Sequence, residues 1–102
     1  MAGTVLLGNQ KGVAFNSFGF DQVVESTRDV LKISAPDLIA PVYESMDLEG
    51  MMFICLDTLG GADVKRFCIA TKKAYSDWRQ KNSEPFPEWE ELIEILEADE
   101  RP

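Results

Sequence analysis

The sequence predicts an α+β fold, in which a small, mainly antiparallel sheet of about three strands has helices packed on one face. Two short apolar segments near the start and one continuous apolar run in the middle are the strand candidates. Helical windows follow the second and third of them, which gives the order strand, strand, helix, strand, helix, helix. A chain of 102 residues is sized for one hydrophobic core, so we expect a single globular domain over residues 1–102.

The first two strands are expected at residues 4–7 and 13–20, on either side of the connection GNQKG. Gly8, Asn9 and Gly12 suit a tight turn, so a hairpin is the favoured interpretation. The third strand is expected at residues 51–56, because the run MMFICL is typical of a central strand that is covered on both faces.

A first helix is expected at residues 21–34, with Asp21 as its N-cap and Phe20 packed against its first turn. It should end near Ser34, because Pro36 disfavours helical geometry in the residue before it. Residues 36–50 have no clear pattern, since Pro41 interrupts a stretch that could begin a short helix.

The longest regular window, residues 62–81, predicts an amphipathic helix, and Asp63 is its expected cap. Phe67 and Trp78 lie near the centre of the apolar side, so both are expected in the core. The other side carries Lys65, Lys72 and Arg79, with Arg66 and Lys73 beside them. With Lys81, six of the ten basic residues of the chain lie in this segment. A carboxylate at the start of this helix competes for the same amide groups as a phosphate, so no phosphate site is expected there.

The last helix is expected at residues 88–97, with Pro87 suited to its first turn and an apolar stripe that includes Trp89. Acidic residues cover the rest of its surface, and seven of them lie between positions 88 and 100. Residues 98–102 are expected to fray.

The chain has no histidine, which excludes Ser-His, Cys-His and most metal-dependent hydrolytic sites. We therefore expect no catalytic residue, no cofactor and no metal site. The segment Asp47-Leu48-Glu49-Gly50 falls short of the ligand series of a calcium-binding EF-hand loop. Cys55 and Cys68 lie in apolar surroundings and form no redox motif, so both are expected as buried, reduced thiols without a role in activity.

A formal net charge of −8 argues against direct nucleic-acid binding, because such binders concentrate positive charge. The sequence shows neither a long apolar span nor the features of a signal peptide, so we expect a cytoplasmic protein that does not enter a membrane.

These observations favour a small, acidic, non-catalytic interaction protein that binds a basic protein partner, for example as an inhibitor, an immunity protein or an antitoxin-like protein. Aromatic anchors ringed by carboxylates are typical of such an interface, provided that the rings are partly exposed. The candidate partner-binding residues are Phe86, Trp89, Glu90, Glu91, Glu94 and Glu97.

Two other functions stay open at this point. The same aromatic residues could join copies of the chain, which would make it a homo-oligomeric structural or accessory subunit. A small enzyme or ligand-binding protein would instead need a deep site with inward-facing carboxylates.

Overall fold

The computed structural model describes residues 2–8, 11–49, 53–56 and 59–99. Within these residues the chain forms a three-stranded sheet and four α-helices, with one 3-10 turn at Pro36–Leu38. The elements follow in this order: β1 (Ala2–Gly8), β2 (Lys11–Asn16), α1 (Ser17–Ser34), α2 (Ile39–Glu49), β3 (Phe53–Cys55), α3 (Gly61–Lys81) and α4 (Pro87–Ala98).

The sheet is mixed, and the expectation of a mainly antiparallel sheet is wrong. Its order is β2-β1-β3, with β1 antiparallel to β2 and parallel to β3. The hairpin of β1 and β2 is as expected, although residues 9 and 10 of its connection lie outside the described residues. The chain returns parallel to β1 because α1 and α2 both lie between β2 and β3 and carry it back across the molecule.

β3 was expected at the centre of the sheet but pairs only with β1 among the described strands. Ile54 is buried, whereas its neighbours Phe53 and Cys55 are partly exposed. The apolar run is therefore covered mainly on one face. Residues 51 and 52, which the prediction included, lie outside the described part of the chain.

One face of the hairpin is buried and the other is more accessible. Val5, Leu7, Val13 and Phe15 are buried, and the residues that alternate with them are exposed or partly exposed. A side chain at Gly3 would lie 2.2 Å from the ring of Phe20, so α1 packs closely on β1 at this point. The hairpin thus has the alternation of a sheet that rests on a core.

α1 begins four residues earlier than expected, because Asn16 and not Asp21 caps it. The side chain of Asn16 accepts a hydrogen bond from the Gly19 amide at 2.6 Å, which satisfies a first-turn donor. β2 consequently ends at Asn16, and Phe20 is a buried helical residue. The end of the helix at Ser34 is as expected.

α2 occupies most of the stretch that the sequence left unassigned. Pro41 is the third residue of this helix, where backbone amides have no partner within the helix, so its missing N–H costs little. Tyr43 is fully buried, and its hydroxyl donates to the Val24 carbonyl at 2.7 Å. This bond ties α2 to α1.

α3 covers the expected window with one further residue at its start. Its N-cap is Gly60, which has no side chain to offer, and Asp63 pairs instead with Arg66 at 3.1 Å. Phe67 is buried as expected, whereas Trp78 is only partly buried. The hydroxyls of Thr27 and Thr71, 3.4 Å apart and fully buried, join α3 to α1.

The two cysteines are free, as expected. Cys68 is buried on α3, but Cys55 is partly exposed, so the expectation of two buried thiols holds for one of them. α4 includes Ala98, the first residue of the stretch expected to fray, and residues 100–102 lie outside the described residues. No helix in the described part of the chain is long and apolar enough to cross a membrane.

Candidate protein-binding surface

An aromatic cluster joins the end of α3 to the start of α4. The rings of Tyr75 and Trp78 stack with centroids 6.1 Å apart, and the ring of Trp89 lies 5.0 Å from Tyr75 and 5.9 Å from Trp78. Phe86 completes the cluster through edge contacts at 5.5 Å with Trp78 and 5.8 Å with Trp89. The rings on α3 and α4 thus fix the angle at which α4 leaves the loop before it.

Trp89 lies at the centre of this cluster and is fully buried, with 0 % of its surface exposed. A buried ring cannot contact a partner directly, so the condition of partial exposure fails at this residue. Sequence reasoning made it a candidate aromatic anchor because it lies at the start of an acidic helix. The neighbouring Tyr75 and Trp78 cover it because they lie one helical turn apart on α3.

Phe86 does meet the condition, because it is only partly buried. Its ring packs edge-on against Phe15 at 5.9 Å, and a side chain at Gly19 would lie 2.8 Å from its tip. Phe86 therefore lies at a junction between β2, the first turn of α1 and the aromatic cluster. It is the one aromatic residue of the predicted site that can contact both the core and a partner.

Glu90 is exposed, and its carboxylate is tied to α3 by Tyr75. The Tyr75 hydroxyl donates to the Glu90 carboxylate and accepts from the Phe86 amide at 3.1 Å. Burial, together with the hydrogen bond to Glu90, raises the pKa of Tyr75 above its ordinary value. Through this relay one carboxylate fixes the loop conformation that presents Phe86.

Glu97 is also engaged, since its carboxylate lies 3.0 Å from the Lys72 ammonium. The hydrogen bond from Lys72 to Glu97 raises the pKa of that lysine. Cys68 lies close to this pair. Burial raises the pKa of its thiol most, the charge of Glu97 raises it further, and the charge of Lys72 lowers it. An inert thiol, as expected, is consistent with this environment.

Glu91 and Glu94 are exposed and have no hydrogen-bond or ion-pair partner among the described residues. They follow Glu88 at three-residue intervals, which places the three carboxylates on neighbouring positions of the outer surface of α4. The six predicted site residues therefore divide into three groups. Trp89 is internal, Glu90 and Glu97 are tied to α3, and Phe86, Glu91 and Glu94 remain accessible.

Three of the six basic residues of α3, Arg66, Lys72 and Lys73, are paired with carboxylates of the described residues. Arg66 binds both carboxylate oxygens of Asp37, at 3.0 and 2.8 Å, and also contacts Asp63. The hydrogen bonds between Arg66 and Asp37 lower the pKa of Asp37 and raise the pKa of Arg66. Lys73 lies 3.5 Å from Asp77 on the same helix. The Arg66–Asp37 pair holds the 3-10 turn against α3, whereas Lys65, Arg79 and Lys81 are exposed and have no ion-pair partner among the described residues.

An open groove between α1 and α3, of about 620 Å³, is a feature that sequence reasoning missed. Ile33 lies on its α1 side and is 89 % exposed. The sequence contains a signal for it, because Ile33 follows Val30 by three residues and both therefore lie on the same side of α1.

The described residues contain no group of three or more potential metal ligands, and no carboxylate among them is buried. The side chains of Asp47 and Glu49 lie outside the described part, so the weak calcium candidate is not tested.

The chain resembles known proteins over nearly its whole length. It is 27 % identical over 103 residues to a protein from Burkholderia pseudomallei described as "Immunity protein CdiI". The aligned region covers 99 % of this chain and 94 % of that protein. Its fold matches a chain in the solved structure of the CdiA-CT toxin from Burkholderia pseudomallei E479 in complex with its cognate CdiI immunity protein. That match has a TM-score of 0.86 and 25 % sequence identity, and covers 95 % of each chain. No family model matches the sequence.

Proposed function

We propose that this chain is an immunity protein that binds a protein toxin and inhibits it by occupying its surface, without catalysis. The observation that carries the proposal is likeness over almost the full length, in sequence and in fold, to immunity protein CdiI and to a structure of its complex with a toxin. The absence of histidine and of a buried carboxylate among the described residues agrees with an inhibitor that acts by contact alone.

The part of the surface that we assign to the toxin is the start and outer side of α4. Phe86 supplies a partly exposed ring, and Glu91 and Glu94 supply free carboxylates beside it. Interfaces of this kind gain affinity from a few desolvated aromatic anchors and association rate from complementary charge. Trp89 supports this surface from within, and the exposed Glu90 and Glu97 help to fix α4 and its loop on α3.

The toxin surface that fits these carboxylates is basic. A net charge of −8 adds a long-range attraction, since the summed field of an acidic protein steers a basic partner toward it.

We further infer that the helices share the covered face of the sheet, so that partly exposed residues such as Thr4 and Leu6 lie on the opposite face, away from α4. A cytoplasmic site of action is consistent with two free thiols, which persist in reducing compartments.

Co-expression with a toxin tests the proposal. The toxin is the domain from the same genome whose sequence resembles the CdiA-CT toxin, with the E479 toxin domain as a heterologous comparison. Growth should be restored by this chain when its own toxin is induced, and the purified proteins should form a stable complex. Toxicity that persists in cells containing the folded chain, together with no complex in solution, would refute the function. Self-association without toxin binding would favour the oligomeric subunit instead.

A further inference from the structure

Phe18, in the first turn of α1, is the most exposed aromatic side chain of the described residues, with 72 % of its surface accessible. It precedes the buried Phe20 by two positions, which places it on the opposite side of the helix. The other described aromatic rings are buried or partly buried. A single exposed apolar group is common on protein surfaces, so the surroundings of Phe18 decide whether it marks a contact.

The neighbours of Phe18 on the outer side of α1 are acidic. Asp21 and Glu25 follow it by three and seven residues, so both lie on its side of the helix. Both residues are exposed, and their carboxylates have no hydrogen-bond or ion-pair partner among the described residues. Lys32 lies further along the helix, with its ammonium 3.8 Å from Asp29. Phe18 is therefore an exposed ring beside two free carboxylates.

Phe18 also adjoins the toxin-binding surface that we propose at Phe86. A side chain at Gly19, the next residue, would lie 2.8 Å from the tip of the Phe86 ring. Consecutive Cα atoms are about 3.8 Å apart, so Phe18 leaves the chain one residue from this contact. The two accessible rings thus lie on neighbouring parts of the surface, where the first turn of α1 meets the loop before α4.

Ile69 on α3 provides a comparison within the same molecule. It is 68 % exposed, which is close to the value for Phe18. Lys65, Lys72 and Lys73 lie four residues before it and three and four residues after it, and therefore on its side of the helix. On its own helix Ile69 has basic neighbours where Phe18 has acidic ones. A basic partner is attracted to the surroundings of Phe18 and not to those of Ile69.

We propose that Phe18 is a second aromatic anchor for the toxin, and that it inserts into an apolar depression of the toxin bordered by basic side chains. Lysine or arginine residues of the toxin then pair with Asp21 and Glu25. Aromatic anchors contribute most of the affinity of an interface when the contacts around them exclude water. The inference rests on the proposed immunity function and extends the toxin contact from Phe86 along the first three turns of α1.

A second copy of the chain fits this surface less well than a basic protein does. In a contact with two-fold symmetry the same residues of both copies meet, so Asp21 and Glu25 would face their own counterparts. Like charges that are brought together oppose association. The net charge of −8 acts in the same direction. The chemistry of this surface thus favours a basic partner over self-association.

The test compares Phe18→Ala with Ile69→Ala in binding to the CdiA-CT-like toxin domain of the same genome. Ile69→Ala removes a comparably exposed apolar group outside the proposed surface. Both variants should keep the melting temperature of the parent, since neither side chain is buried. We expect Phe18→Ala to weaken binding about tenfold or more, mainly through faster dissociation, and Ile69→Ala to change it by less than about twofold.

The double variant Asp21→Asn/Glu25→Gln tests the basic border of the depression. We expect it to slow association about threefold or more at low salt, because two attractive charges are lost. An unchanged association rate, equal affinities of Phe18→Ala and Ile69→Ala, or a dimer of the chain alone that depends on Phe18 would overturn the anchor while the immunity function stands. If the unmodified chain fails to bind the toxin domain, the proposed function falls and the anchor falls with it.

Discussion

Trp89 is the residue whose environment most alters the interpretation of the acidic helix. It has no exposed surface, and its indole N–H has no hydrogen-bond acceptor among the described residues. Ring packing against Tyr75, Trp78 and Phe86 therefore accounts for its position. The effect of Trp89 on a partner should pass through the fold of α4 and not through direct contact.

Replacing Trp89 by alanine should consequently destabilise the protein by about 3 to 5 kcal/mol, because a large buried ring leaves a cavity that the small domain cannot close. Denaturant unfolding followed by circular dichroism measures this loss. Glu91→Ala on the same helix is the control, and its effect should stay within about 0.5 kcal/mol. Equal stability of Trp89→Ala and the parent protein would contradict the buried cluster.

Tyr75 gives the molecule a pH dependence in the alkaline range. Its folded-state pKa is raised, mainly by burial and next by the hydrogen bond to Glu90, above the ordinary value of 10.0. The folded state thus holds the phenolic proton more tightly than the unfolded state. The corresponding stability is fully present below pH 10 and is lost as the pH rises through the folded-state pKa.

We expect the unfolding free energy to fall as the pH rises above 10, and to fall less steeply in Tyr75→Phe, which has no phenolic proton to lose. Cys68, whose pKa is also raised by burial, contributes a decrease of the same sign. A Cys68→Ala background separates the two groups. If Cys68→Ala and the double variant Cys68→Ala/Tyr75→Phe lose stability in parallel as the pH rises, Tyr75 is not a cause of the decrease.

At the level of elements, the cap of α1 can be tested against the cap that the sequence suggested. Asn16→Ala should lower the unfolding free energy by about 1 kcal/mol, because the Gly19 amide loses its acceptor. Asp21→Ala should have little effect on stability, since Asp21 lies in the second turn and is exposed. Thermal unfolding of the two variants decides between these positions, and a larger loss in Asp21→Ala would contradict the observed helix start.

Long periodic segments were predictable because their patterns are local. The window that became α3 repeats apolar residues over five turns, and α4 combines Pro87 with an apolar stripe. Both helices lie within one residue of the expected positions at each end. The hairpin was equally predictable from the sequence, since glycines separate two short apolar segments.

Other elements depend on contacts between distant parts of the chain. The helical state of Ile39–Glu49 is supported by packing such as the Tyr43 bond to Val24, which no local pattern reveals. The edge position of β3 follows from its pairing with β1 across more than forty residues. Burial of Trp89 likewise needs rings from α3. The candidate site was therefore predictable in its charge but not in which carboxylates remain free.

Across the whole molecule, some charged groups form ion pairs within the protein and others lie on the surface without a described partner. Arg66, Lys73 and Lys72 on α3 are bound by Asp37, Asp77 and Glu97, and the Arg66–Asp37 and Lys72–Glu97 pairs join separate elements. Carboxylates without a described partner lie on α4 (Glu88, Glu91 and Glu94), on α1 (Asp21 and Glu25), on α2 (Glu44) and in the loop before α4 (Glu84). Among the described residues, the largest group of these carboxylates lies on α4 and in the loop before it, next to Phe86, and a basic partner would detect this charge over a distance.

Association with the toxin should slow as salt rises, because ions screen exposed charges over about 8 Å at physiological ionic strength. Glu94→Lys should slow association about fivefold at low salt, make it less sensitive to salt, and leave dissociation nearly unchanged. Glu44→Lys is the matched control, since it places the same charge change on an exposed position of α2 and should have a smaller effect. Both variants should keep the melting temperature of the parent. Stopped-flow kinetics at several salt concentrations measures these rates, and identical association of the two variants would contradict the assignment of the toxin contact to α4.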